Sequence, residues 1–279
     1  MLTNISKLTI LILSLTLIWG CSDSTGPSSD EPPTPPSFER IEMDLDIFDN
    51  AFLNKGDFPQ DIDKIRSMMD SGEASPMNDQ SPYEAAAFFA FYADMLFQSF
   101  SIYPTIFFNT DTWGDPQVDG DTWIWEFSQN FEGESFTMRV TAETTSTSQI
   151  WELRYSYSGS EGPDVDNGLF MSAVISLNGN TGEWAIYDLY EEQQGALVNF
   201  DYVIEDDVTT MLDINMPQGD ERLLYEVNGQ TATLKGFESG TEYTTVQWNR
   251  ETGSGWIQSN DYNNGAQTCW DTNFETTPC

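Results

Sequence analysis

VNFDYVIEDDVTTMLDINM, residues 198–216, decides how the folded part of this chain is built. Val198, Phe200, Tyr202 and Ile204 alternate with Asn199, Asp201 and Val203. Val208, Thr210, Leu212 and Ile214 then alternate with Met211 and Asp213. A period of two marks strands with one greasy face and one polar face. Two such runs in succession read as an antiparallel pair that is dry on one side and wet on the other.

The same rhythm extends outward in both directions. Trp123, Trp125 and Phe127 share a face; so do Phe136, Met138, Val140 and Ala142, and then Trp151, Leu153, Tyr155 and Tyr157. Asn178-Gly179, Asn228-Gly229 and Gly253-Ser254-Gly255 are short hairpin connections between runs. About eleven strands fit between Thr122 and Ser259. No helical segment long enough for a parallel crossover separates them. The expected fold is mainly β: an antiparallel meander over 111–260, as a curved sheet or a closed barrel, with an N-terminal helical segment packed on or in it.

That helical segment covers 38–110. In Pro59–Ser71, Ile62, Ile65, Met68 and Met69 fall at helical spacing. Ser81-Pro82-Tyr83-Glu84 combines an N-cap, a first-turn proline and a capping-box acid. The helix it opens runs over Tyr83–Phe100 and is expected to end before Pro104. It is apolar on nearly every side, through Phe88, Phe89, Phe91, Tyr92, Met95, Leu96, Phe97 and Phe100. A helix greasy all round is a buried one, so it is read as the core helix of the β domain and not as a membrane span.

The start of the chain has its own logic. Met1–Lys7 carries one positive side chain and no acid, and Leu8–Trp19 is an uncharged run of 12 residues. As a helix that run spans ~18 Å, well short of the ~30 Å hydrocarbon core of a bilayer, and it suits an export signal. Its end, Ile18-Trp19-Gly20-Cys21, resembles the lipobox of bacterial lipoprotein precursors, with Trp19 bulkier than usual. The resemblance covers residues 1–21 only. It implies removal of residues 1–20, a lipid on the Cys21 sulfur and an acyl chain (palmitate or similar) on the new amino terminus. Ser22 in place of Asp, by analogy with enterobacterial lipoproteins, implies the outer membrane, on its periplasmic face or at the cell surface. Residues 21–37 then form a lipidated cysteine and a Pro/Ser-rich tether, with five prolines in Ser22–Ser37. At ~3.1 Å per residue such a tether reaches roughly 50 Å. A transmembrane β-barrel, the rival architecture, fits neither this tether nor the many acids on the strands' second faces.

The charge excludes several partners. Ten Lys and Arg stand against 46 Asp and Glu, a net charge of −36, one unit more negative once Lys7 is removed with the signal. Phosphate backbones and anionic lipid surfaces are repelled by such a field, so nucleic acid is not an expected partner. The acidity reads either as a solvated coat or as calcium sites. Candidate calcium ligands are Asp111, Asp115, Asp119 and Asp121, and Asp164 and Asp166 in the run Asp164–Gly168. Neither group completes an EF-hand spacing.

With Cys21 lipidated, Cys269 and Cys279 remain, ten apart, and a disulfide between them is expected in an exported chain. It would close the tail, 261–279. The absence of histidine excludes Ser-His-Asp and Cys-His catalysis, and no nucleophile elbow or phosphate loop is present. No cofactor is expected. Three functional readings follow: a non-enzymatic envelope lipoprotein, in one form a carrier of an apolar small molecule; a glycan- or protein-binding module using exposed aromatics, with Trp113, Trp256 and Trp270 at or near loops; and a glycoside hydrolase built on two carboxylates.

Overall fold

The computed structural model describes residues 32–35, 38, 40–49, 51, 80–108, 113–131, 133–160, 162–188 and 195–279. The signal segment, Cys21, most of the tether, Pro59–Ser71 and Asp111 lie outside the described residues.

Fourteen strands form a single antiparallel meander in which each strand pairs with the next in sequence. The first half comprises β1 (Gln117–Asp119), β2 (Thr122–Phe131), β3 (Glu134–Thr144), β4 (Ser148–Ser158), β5 (Val165–Ser176), β6 (Thr181–Tyr187) and β7 (Ala196–Glu205). The second comprises β8 (Val208–Met216), β9 (Glu221–Asn228), β10 (Thr231–Glu238), β11 (Thr241–Asn249), β12 (Gly255–Ser259), β13 (Thr268–Trp270) and β14 (Thr276–Thr277). The eleven from β2 to β12 occupy the span where eleven are expected; β1, β13 and β14 are short additions outside it. The ends of the order, β1 and β14, do not pair, so of the two expected forms the open sheet is found and the closed barrel is not. The physical reason lies in the edges. Strands of two or three residues offer too few ladder bonds to close a barrel, and Pro116 and Pro278, with no N–H, flank them.

One face of the sheet carries the apolar set. Val140, Trp151, Leu153, Met171, Val198, Phe200, Leu212, Leu234, Val246 and Trp248 are buried there. The pattern at 198–216 holds with one local shift. Tyr202 pairs with Leu212 but Ile204 pairs with Thr209, so the register slips by one residue at Thr210. That bulge buries Thr209 on the apolar face, where alternation alone places Val208 and Thr210. The turn is Asp206-Asp207, both at positive φ (50° and 61°), a conformation that Asp tolerates better than most residues.

The helix α1 (Pro82–Phe107) lies on the apolar face. Ser81 and Glu84 form the full capping box expected of them. The helix does not stop before Pro104 but runs through it to Phe107. Pro104 removes a helical bond, and the hydroxyls of Ser101 and Thr105 donate to the nearby carbonyls of Gln98 and Ser101. Beyond it, Phe107 packs on Phe170, and Phe108 on Trp151 and Trp184. Burying two phenylalanines offsets the ~3 kcal/mol that an interior proline costs.

Ring contacts fix the direction of α1. Tyr83 meets Trp270 of β13, Phe89 meets Tyr243 of β11, Phe97 and Phe100 meet Phe200 of β7, and Phe108 meets Trp151 of β4. From β4 to β13 is about nine strand spacings, or ~43 Å. A helix of 26 residues is ~39 Å long. The helix therefore crosses the strands, touching one after another. It comes so close at β10 that a Cβ on Gly236 would sit 2.7 Å from the Phe89 ring.

A second element, the strap Phe38–Phe48, covers the same face. Phe38 packs on Trp184 and Phe200, and Phe48 on Trp248 and Trp270, with Ile41, Met43 and Leu45 buried between them. Polar contacts mark its course. Arg40 pairs with Asp207, the Glu42 amide donates to Thr209, the Asp44 amide to Tyr225, and Asp44 pairs with Arg250. Pro32–Cys279 thus forms one compact unit. Although α1 is long and apolar enough to cross a membrane, here it is the core of that unit.

Candidate functional site

With α1 and the strap on one face, the other face of the sheet is left to solvent, and the acids gather there. Glu183 of β6 pairs directly with Asp201 of β7, and Asp201 with Asp213 of β8. Directly opposed residues on a sheet face hold their Cβ atoms ~4.5–5.5 Å apart, so three carboxylates stand in one row. The bulge at Thr210 makes this row. Continued from the Asp206-Asp207 turn without it, the register would set Asp201 against Leu212 and turn Leu212 outward.

Like charges in a row need an opposing charge, and Arg222 of β9 supplies it. Its Nε and Nη2 donate to the two Asp213 oxygens at 2.8 and 2.6 Å. Its guanidinium lies 5.2 Å over the Phe237 ring. Such a two-pronged pair fixes geometry as well as charge. Asp201 has no such partner. Burial first, then repulsion from Glu183 and Asp213, pushes its carboxyl above the ordinary range, with Arg222 opposing.

Beside the row lies an open groove of about 450 Å³. Glu183 and Asp201 line it together with the hydroxyl side chains Ser148, Ser176 and Thr181 and the apolar Val174, Val203 and Met211. Carboxylates and hydroxyls there accept and donate hydrogen bonds, and the small apolar side chains offer C–H surface between them. Few bases compete for these acids. Among the described residues Arg40, Arg154, Arg222, Lys235 and Arg250 each hold a carboxylate of their own.

The residues singled out by sequence fall elsewhere. Asp115, Asp119 and Asp121 are exposed around the β1–β2 hairpin. Asp164 accepts from the Gly159 amide and closes the β4–β5 loop, next to an exposed Asp166. Among the described residues no three of His, Cys, Asp or Glu are grouped to hold a metal ion. Trp113 is half-buried. Trp256 lies half-buried on the open face and donates to the Gln247 side chain at 3.0 Å. Trp270 is corrected: at 1 % exposure it is a core residue, its indole N–H donating to the Gly253 carbonyl, and it offers no platform. Cys269 and Cys279 are joined in a disulfide, and the tail they close adds β13 and β14 to the sheet. What sequence reasoning missed is the row Glu183–Asp201–Asp213. The acid at 201 is visible as a second-face residue, but its neighbours depend on register.

No protein-family model matches the chain, and no curated protein is similar to it.

Proposed function

We propose that this protein is a lipid-anchored envelope lipoprotein whose role is binding and not catalysis, with the polar face of the sheet as its working surface and a glycan as its ligand. The observation that carries the reading is the asymmetry of the sheet. Of Phe88, Phe91, Tyr92 and Leu96, the helix residues that would line an apolar pocket in a carrier, three are 2–3 % exposed and Phe91 is half-buried. The opposite face presents a groove of carboxylates, hydroxyls and small apolar side chains. Sugars offer hydroxyl donors to carboxylates and C–H faces to aliphatic side chains, and that is the chemistry of this lining. The Cys21 anchor and the tether that follows would hold the surface near envelope polysaccharide.

Titration calorimetry with neutral and amino-bearing oligosaccharides tests the reading. Saturable binding is expected, and the Glu183→Gln/Asp201→Asn double variant should weaken it about 10- to 100-fold, the size of lost hydrogen bonds to charged groups. The ionised carboxylates are the acceptors, and the pKa of Asp201 is raised. Affinity should therefore fall as pH is lowered, with a midpoint above the ordinary aspartate value. No binding by any oligosaccharide, or binding unchanged in the double variant, contradicts it.

A further inference from the structure

The two edges of the sheet are guarded differently. At one end β13 and β14 are short, flanked by Pro278 and tied by the disulfide. At the other, β1 covers only Thr122–Ile124 of β2. Pro116 precedes β1, and the pairing stops at Gln117 with Ile124. The rest of β2, Trp125–Phe131, has β3 on one side. On its other side no backbone hydrogen bond is made among the described residues.

Register shows which groups are left open. Thr122 closes the two-residue hairpin with Asp119, and Phe131 closes the two-residue hairpin with Glu134. Bonding alternates along an antiparallel strand, so odd-numbered residues bond β3. The N–H and C=O groups of Glu126, Ser128 and Asn130 point outward and have no partner among the described residues.

Natural sheets protect such an edge with charge, proline or shortness. This one has none of these over Phe127–Phe131 (FSQNF), which is uncharged in a chain holding 46 acids. Phe131 is 63 % exposed at its end, and Val118, opposite Trp123 at the far end of β2, is 50 % exposed.

We infer that β2 pairs with β2 of a second copy of this chain, antiparallel about a two-fold axis at Ser128. The sequence is complementary to itself in that register. Ser128 faces its own copy, Phe127 faces Gln129, Glu126 faces Asn130, and Trp125 faces Phe131. Each outward-pointing residue then exchanges two bonds with its opposite, about six in all. Phe131 gains a tryptophan neighbour. No like charges oppose each other: the two Glu126 residues are four positions apart, ~14 Å along the strand, beyond the ~8 Å screening length at physiological salt. A strongly acidic partner strand would lose this match, and an isologous contact closes as a dimer without propagating into a fibre. The net charge of each copy opposes association at long range, so added salt strengthens the dimer.

Cysteine cross-linking in the full chain tests this. Ser128→Cys places two thiols face to face, and a short bis-maleimide should convert most of the protein to a species of twice the mass, more completely in 1 M than in 0.05 M NaCl. Glu126→Cys alone should give at least tenfold less. Ser128→Lys, which sets two ammonium groups opposite one another on a solvent edge, should make the protein monomeric in sedimentation while its circular dichroism stays that of the folded chain and its melting temperature no longer depends on protein concentration. No cross-link at Ser128→Cys, equal cross-linking at the two positions, a product joined to another protein, or a dimer that survives Ser128→Lys would overturn the pairing.

Discussion

Phe200→Ala should cost about 3–5 kcal/mol in urea unfolding, the range for truncating a fully buried phenylalanine. The residue is 1 % exposed and sits where three elements meet, β7, the strap and α1. Its ring lies 6.3 Å from Phe38 of the strap, 6.3 Å from Phe97 and 6.0 Å from Phe100 of α1. Truncation removes contacts from all three neighbours at once. A helix that crosses many strands and a strap tied at its ends have little freedom to collapse into the space. For a unit of this size the melting temperature should fall by roughly 6–20 °C. Asn199→Ala, one residue away on the open face, should change stability by less than about 0.5 kcal/mol. A Phe200→Ala loss under about 1 kcal/mol would mean that the strap and helix do not rest on β7.

The second large effect concerns the tail. Replacing Cys269 and Cys279 together with serine should cost up to ~3 kcal/mol, the entropy model's value for a closed loop of this length. Short β13 and β14 have few ladder bonds of their own. Yet Trp270 beside Cys269 packs on Phe48 and Tyr83, joining the strap's end to the start of α1. Loosening the tail therefore loosens both coverings of the apolar face. Amide exchange should rise first at β13, β14 and the first turn of α1, and reductant should produce the same change in the unaltered chain. A double serine variant with unchanged melting and unchanged exchange would show that packing of Trp270 alone holds the tail.

The strands were legible because a half-buried sheet prints its period on the sequence. Phe136, Met138, Val140 and Ala142 read as one face and are all buried. Within 198–216 the pattern even contains the bulge. Phe200, Tyr202 and Ile204 cannot share a face with Leu212 and Ile214 across the Asp206-Asp207 turn unless one residue is skipped. Alternation gives no place to put that skip, so Val208 and Thr210 look like core positions while Thr209 occupies one. The row Glu183–Asp201–Asp213 was hidden for the same reason: it is a property of register across three strands. Pro104 misled in the other direction. A local rule against proline in helices was overridden by the burial of Phe107 and Phe108, which only the folded sheet makes available. Trp270 sits among polar and small residues that read as a loose tail, and its burial depends on rings over 180 positions away in sequence.

The central claim is that one face of the sheet is sealed and the other is free to bind. Thiol labelling along β8 tests it most directly, in a Cys21→Ser chain whose other two cysteines are already bonded. Single cysteines at Leu212 and Ile214, both 1 % exposed, should react at least ~100-fold more slowly than cysteines at Asp213 and Asn215, because they are reached only on opening of the fold. The rates should alternate residue by residue. Similar rates at all four positions, or protection at Asp213 and Asn215 as strong as at Leu212 and Ile214, would contradict the account.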